Sequence, residues 1–195
     1  MTGGWLAALA EADRTLFAFI NGTLYLRPAA DLTFWLADDR VLLGLLVAAG
    51  AAYALRRGWR RALWLAAWGA AAVVISNQLH NRLLKPFFHR PRPFLAVPEV
   101  HLSANLRNLA AVSQSFPSTH AATAMALAVL AAGLDARLRA PAAFFAAAIG
   151  FGAVYSGGHY PLDVLAGYGV GAVLGVVMLK LAGLIQSLIG SAREV

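Results

Sequence analysis

LDVLAGYGVGAVLGVVMLKLAGLIQSLI, residues Leu162–Ile189, decides the fold. A helix needs about 20 mostly apolar residues to cross the hydrocarbon core of a bilayer, and this stretch meets that length. The same ruler, applied outward, gives four further candidates: Val41–Leu55, Ala62–Leu84, Ser118–Leu134 and Pro141–Tyr155. Val41–Leu55 and Pro141–Tyr155 are short, and are expected to tilt or to be extended by their flanks. The segment from Trp5 to Trp35 mixes Leu16, Phe17, Phe19 and Ile20 with Glu11, Asp13, Arg14 and Asp31. That mixture predicts amphipathic helices lying at the interface within residues 1–40, with a sixth span as the weaker alternative. The expected fold is therefore all-α: an integral membrane helical bundle of five or six transmembrane helices, forming one domain over residues 1–195.

Composition agrees. Hydrophobic residues make up 60% of the 195-residue chain and charged residues 13%, against about 25% charged in soluble domains. Mean hydropathy is +0.66 and the net charge is +7. A basic chain suits nucleic acid, anionic lipid or an acidic substrate. Nucleic acid is excluded as a partner because the cations lie between apolar runs and form no continuous polar face. The absence of cysteine excludes disulfides, thiol catalysis and cysteine metal sites. No cleavable signal is expected, since Glu11 and Asp13 stand where a positively charged n-region would be.

Arg56, Arg57, Arg60 and Arg61 fall between the first two spans, and Arg137 and Arg139 between the third and fourth. Both connections lie on one side, which the positive-inside rule makes cytoplasmic. The opposite face carries the long polar loop 85–117, whose own cations weigh less in that rule. A loop of that length is expected to be functional. Gly167, Gly171 and Gly175, and likewise Ala124, Ala128 and Ala132, recur at four-residue spacing. Such ridges predict close helix packing within the chain, with a homodimer seam as the alternative.

Three clusters at that loop face carry chemistry: KPFFHRPRP (Lys85–Pro93), PSTH (Pro117–His120) and HYPLD (His159–Asp163). A phosphate is a compact anion that is bound by fixed cations and by free N–H groups at a helix start. Lys85 and Arg92 supply the cations, and Ser118 and Thr119 stand where a helix begins. Two histidines can divide the work, one attacking phosphorus and the other protonating the leaving oxygen. Asp163, four residues after His159, can hold the imidazole in one tautomer and stabilise its charged form. His80 and Asn77 are read as helix-packing polar groups. His101 and Arg107 are read as loop surface.

The clusters resemble the signature of the type-2 phosphatidic acid phosphatase family, KxxxxxxRP, PSGH and SRxxxxxHxxxD. Lys85, Arg92 and Pro93 match its first part; Pro117, Ser118 and His120 match its second, with Thr119 in place of Gly; His159 and Asp163 match its third. The resemblance implies a metal-independent, cofactor-free lipid phosphate phosphatase. His159 would be the nucleophile of a phosphohistidine intermediate, Asp163 its orienting carboxylate and His120 the general acid. Lys85, Arg92 and Ser118 would hold the phosphoryl oxygens. Among lipid substrates it points to a polyprenyl diphosphate, with undecaprenyl diphosphate favoured, a glycerolipid phosphate such as phosphatidic acid or phosphatidylglycerol phosphate, or a lipid A phosphate. In a bacterium the active site would face the periplasm from the inner membrane. The signature's SR pair falls on Gly152 and Ala153, so its arginine is missing. Arg90 is the candidate substitute cation. Ala153 also keeps open a catalytically impaired lipid-phosphate binder or partner subunit. Transfer of the phosphoryl group to another lipid is a further alternative.

Overall fold

The computed structural model describes residues 3–29, 32, 39–102 and 114–191. Helix α1, Gly3–Ala18, runs into a π-turn at Phe19–Thr23. Helix α2 spans Asp39–Arg57 and α3 spans Trp59–Leu79; Gly58, at φ 95°, makes the sharp turn between them. α3 continues through a π-turn at His80–Leu84 into the short helix α4, Lys85–Phe88. A second short helix, α5, covers Pro93–Ala96. Helix α6, Thr119–Leu134, is joined by a 3₁₀ turn at Ala136–Leu138 to α7, Arg139–Tyr155. Helix α8, Pro161–Ser191, closes the bundle. The expected all-α architecture is the one observed. Loop 85–117 differs from its expectation in holding α4 and α5, each opened or entered by a proline suited to a first helical turn. Arg107 lies outside the described residues.

Among the described residues, three stretches are long and apolar enough to cross a membrane: Trp59–Ala96, Ala136–Tyr155 and Pro161–Leu188. Many of their outward side chains are large and apolar. Leu165, Val173 and Leu188 on α8, and Phe144 on α7, are all exposed. In water that would be costly; against lipid tails it is not.

Helix α6 is the hub, packed by α8, α7 and α3. Ten of its sixteen residues are Ala or Leu, strong helix formers, and its seven alanines are small enough to let neighbours approach. Ser118 caps its start, its hydroxyl accepting the N–H of Ala121 at 3.4 Å. The glycine ridge of α8 lies against it. A Cβ on Gly167 would stand 2.5 Å from the carbonyl oxygen of Ser118, and one on Gly171 would run into the carbonyl of Ala122. The ridge expected from sequence is thus used within the chain. On another face, Ala124 and Ala128 pack against Ala146 and Ile149 of α7.

The two arginine-rich connections share one end of the bundle, where Nε of Arg57 lies 3.6 Å from Oδ2 of Asp135. The motif-bearing starts of α6 and α8 meet at the other end. There the backbone N–H of Ser118 donates to the carbonyl of Asp163 at 2.9 Å.

Candidate active site

His159 stands in the turn between α7 and α8, and that turn is built by close approaches. Gly157 has φ 84°, and a Cβ there would lie 2.8 Å from the carbonyl oxygen of His101. A side chain is excluded on both counts. The backbone N–H groups of Gly158 and His159 both donate to the carbonyl of Ala153, at 3.1 Å each. Pro161 then starts α8, which puts Asp163 in its first turn, beside the positive end of the helix dipole.

The His159 ring is buried and has two different neighbours. Nη1 of Arg92 lies 3.4 Å from Nε2 and 3.1 Å from the carbonyl oxygen of Gly158. Nδ1 faces Oδ2 of Asp163 across 3.6 Å. That is too long for a hydrogen bond, and Nδ1 has no hydrogen-bond partner among the described residues. Catalytic hydrogen bonds of this kind often tighten only when substrate is bound. Burial pushes the imidazole from its ordinary 6.5 down to about 4, with Asp163 opposing the fall and Arg92 and His120 adding to it. The ring is therefore neutral at neutral pH, which is the form that can attack.

Asp163 joins all three motifs. Its Oδ1 accepts from Nη1 of Arg90 at 2.6 Å, its Oδ2 accepts the N–H of Tyr160 at 2.9 Å, and its carbonyl accepts the N–H of Ser118. Ser118 is fully buried. The Oγ1 of Thr119 is buried and has no hydrogen-bond partner among the described residues. At a helix start, where the first N–H groups lack intrahelical partners, such a group is placed to serve an anion. His120, the next residue, is exposed and lies within electrostatic reach of His159. Lys85 lies within electrostatic reach of Arg92.

Arg90, expected among the phosphate cations, has its guanidinium between two carboxylates. Besides Asp163 it meets Asp13, with Nη2 2.5 Å from Oδ2. Its face lies over the Tyr160 ring at 4.2 Å. Ala153 stands at the end of α7 and packs against the cluster of Phe17, Tyr160 and Val164. His80 is fully buried, with Nδ1 2.8 Å from the carbonyl oxygen of Ser76. His101 stacks on Tyr25 with ring centres 4.5 Å apart.

Sequence reasoning missed Asp13 and Asn21. Both lie in the segment expected to rest at the interface, and both are buried. The Asn21 amide donates to the carbonyls of His101 and Tyr155, tying two loops of the site face together. The signal for Asp13 was its place four residues before Phe17, on the one buried stripe of α1. A cavity of about 530 Å³ lies beside these groups, not on them. Leu6, Leu9, Phe88 and Leu162 line it together with Arg14 and Arg90.

The sequence pattern of the PAP2 superfamily matches residues 62–185. Undecaprenyl-diphosphatase BcrC of Bacillus subtilis (strain 168) is 29% identical over 127 residues, which cover 65% of this chain and 61% of that protein. The match thus spans less than two thirds of that relative's length. The solved structure of LpxE from Aquifex aeolicus superposes with a TM-score of 0.60 at 28% identity, covering 85% of this chain and 93% of that one. A transmembrane PAP2-type phosphatidylglycerolphosphate phosphatase from Bacillus subtilis shares the fold, with a TM-score of 0.63 at 23% identity over 94% of this chain and 89% of its own.

Proposed function

This chain belongs to the PAP2 superfamily, and on that footing we propose that it is an integral membrane lipid phosphatase working through a phosphohistidine at His159. The observation that supports this most is the asymmetric setting of that ring, with Arg92 at Nε2 and Asp163 facing Nδ1. In the proposed reaction the Nε2 lone pair attacks phosphorus and the bond to the leaving oxygen breaks. His120 delivers the proton to that oxygen. The imidazole, now positively charged, keeps its Nδ1 proton toward Asp163. Water then attacks phosphorus, with His120 taking its proton, and inorganic phosphate leaves the neutral histidine. Lys85, Arg92, Ser118 and Thr119 hold the phosphoryl oxygens as charge builds on them. The chemistry calls on no metal.

The substrate class we propose is a polyprenyl diphosphate or a glycerolipid phosphate. The similarity to an undecaprenyl-diphosphatase favours the former. The apolar walls of the cavity beside Arg90 suit a lipid chain entering sideways from the bilayer. With the arginine-rich end of the bundle in the cytoplasm, the site would face the periplasm of a bacterial inner membrane. The test is phosphate release from detergent-solubilised farnesyl diphosphate, phosphatidic acid and phosphatidylglycerol phosphate, by wild type and His159→Ala side by side. Release that requires His159 supports the reading and ranks the substrates. Equal release by both proteins would overturn it.

Ala153 favours a second reading, a relative that binds lipid phosphates without turning them over. No release from any of these lipids, by folded protein that still binds them, would select it. Labelled phosphate appearing on an acceptor lipid would instead select phosphoryl transfer.

A further inference from the structure

We infer that Asp13, on a helix outside the region matched by the superfamily pattern, is a positioning residue for phosphoryl transfer. Acting through Arg90, it keeps a net negative charge behind His159. The inference rests on the phosphatase reading above.

The geometry is a chain of four groups. The Asp13 side chain is wholly buried, an arrangement a carboxylate adopts only when paired. Its Oδ2 meets Arg90, and its Oδ1 accepts the N–H of Leu162 at 2.8 Å. It therefore caps the first turn of α8 from 149 residues away in sequence. Arg90 passes the contact to Oδ1 of Asp163, whose Oδ2 faces His159. One carboxylate on each side of one guanidinium leaves a single net negative charge. If Asp13 were absent, Arg90 and Asp163 would form a neutral pair, and the histidine would lose the charge that offsets its own when phosphorus is bound. In this water-poor setting the loss is large compared with the same change at a surface. The hydrogen bond to Leu162 adds a second effect. It fixes the start of the helix that carries Asp163, so a loose α1 would loosen the spacing between that carboxylate and the ring.

Among the described residues, the charged and titratable groups that face His159 are Asp163 from α8, Arg92 from the segment before α5 and His120 from α6, with Lys85 beside Arg92. Arg90 and Asp13 stand behind Asp163. The charge argument gives opposite signs for the two partners. Asp13→Asn keeps the shape and removes a negative charge. Arg90→Gln removes the cation and leaves two carboxylates behind the ring. The double variant Asp13→Asn/Arg90→Gln returns the net charge to one negative.

The experiment is steady-state release of phosphate from detergent-solubilised farnesyl diphosphate and dioctanoyl phosphatidate. It compares wild type, His159→Ala, the two single variants and the double variant, each taken through a pH series. Asp13→Asn is expected to lower kcat by about tenfold or more with KM little changed. The double variant is expected to exceed the activity of Asp13→Asn. Arg90→Gln is expected to move the acid limb of kcat/KM upward by about a unit or more. If Asp13→Asn does not fold, that upward shift in Arg90→Gln carries the test, and an unshifted limb overturns the inference. Unchanged kcat in folded Asp13→Asn, or a double variant no better than the single, also overturns it. A raised KM in Arg90→Gln without a pH shift would return Arg90 to direct phosphate binding. Failure of the phosphatase reading looks different: His159→Ala would then release phosphate as wild type does.

Discussion

Nη1 of Arg92 stands 3.4 Å from Nε2 of His159, and a guanidinium has donors but no acceptor. Nε2 must therefore carry the lone pair, and the ring proton sits on Nδ1, facing Asp163. In the proposed reaction the arginine that would meet the phosphate thus also selects the tautomer that would attack it. Arg92→Lys keeps the charge but loses the planar guanidinium whose Nη1 meets both Nε2 and the Gly158 carbonyl. It is expected to lower kcat/KM by about ten- to a hundredfold. Wild-type kinetics in the lysine variant would mean that a point charge suffices.

The pH dependence follows from the same ring. In the proposed reaction the neutral form attacks, and burial holds the group at about 4, well below its ordinary 6.5. The limb of kcat/KM that belongs to His159 therefore falls only as pH drops through about 4. Asp163→Asn removes the carboxylate that opposes this lowering, so it should move that limb further down and reduce kcat. A pH–rate profile measured in wild type and in Asp163→Asn checks both signs. A limb near the ordinary histidine value that persists in His120 variants would contradict the buried, neutral nucleophile.

The residues of the candidate site were legible because a site proposed for phosphate calls for a few residue types at helix starts. Lys85, Arg92, Ser118, His120, His159 and Asp163 each sit in a short motif, and a motif is a local property of the chain. The helices were legible through apolar length, and the Gly167–Gly171 ridge through its four-residue period. Asp13 and Arg90 were not legible as a pair, because their contact joins residues separated by 77 positions. The four-residue spacing from Asp13 to Phe17 marks a shared helix stripe, but nothing local says which cation meets the acid there. Arg90 looked like a spare phosphate cation for the same reason: its charge is visible in sequence, but the two carboxylates that hold it are brought in by the fold.

Gly171 supplies a packing test. A Cβ there would strike the carbonyl of Ala122, which is helix backbone and has no rotamer to move. Gly171→Val is expected to destabilise the bundle by about 1–3 kcal/mol or more and to separate the start of α8 from that of α6. Thermal unfolding in detergent and phosphate release should both fall. A stable variant with an altered oligomeric state would instead place the ridge at a seam between two copies.

In the proposed reaction the charge on the phosphoryl group would be met by Lys85 and Arg92, carried by α4 and by the segment before α5 respectively. Cations held by the fold can supply this stabilisation without a divalent ion. Treatment with EDTA, followed by removal of the chelator, is therefore expected to leave phosphate release unchanged. Inhibition reversed by adding back a divalent metal would mean that the substrate is presented as a metal complex, and the roles of Lys85 and Arg92 would need to be reassigned.

Ala153 offers the most direct question about how far this site departs from its family's pattern. Its side chain lies against the cluster of Phe17, Tyr160 and Val164, while its carbonyl holds the turn that carries His159. An arginine at 153 would keep that carbonyl and add a cation at the end of α7. A charge-assisted contact to phosphate typically contributes about 1.5–3 kcal/mol, so Ala153→Arg is expected to raise kcat/KM by about one to two decades. The new side chain must pass an apolar cluster to reach the anion, and burial without a partner would be costly. Phosphate release and thermal stability must therefore be measured together. A gain in activity at unchanged stability would mean that the cavity still has room for the clamp. A loss of activity with stability intact would mean that Arg92 already occupies the direction from which the clamp would come, and that the site is built around the alanine.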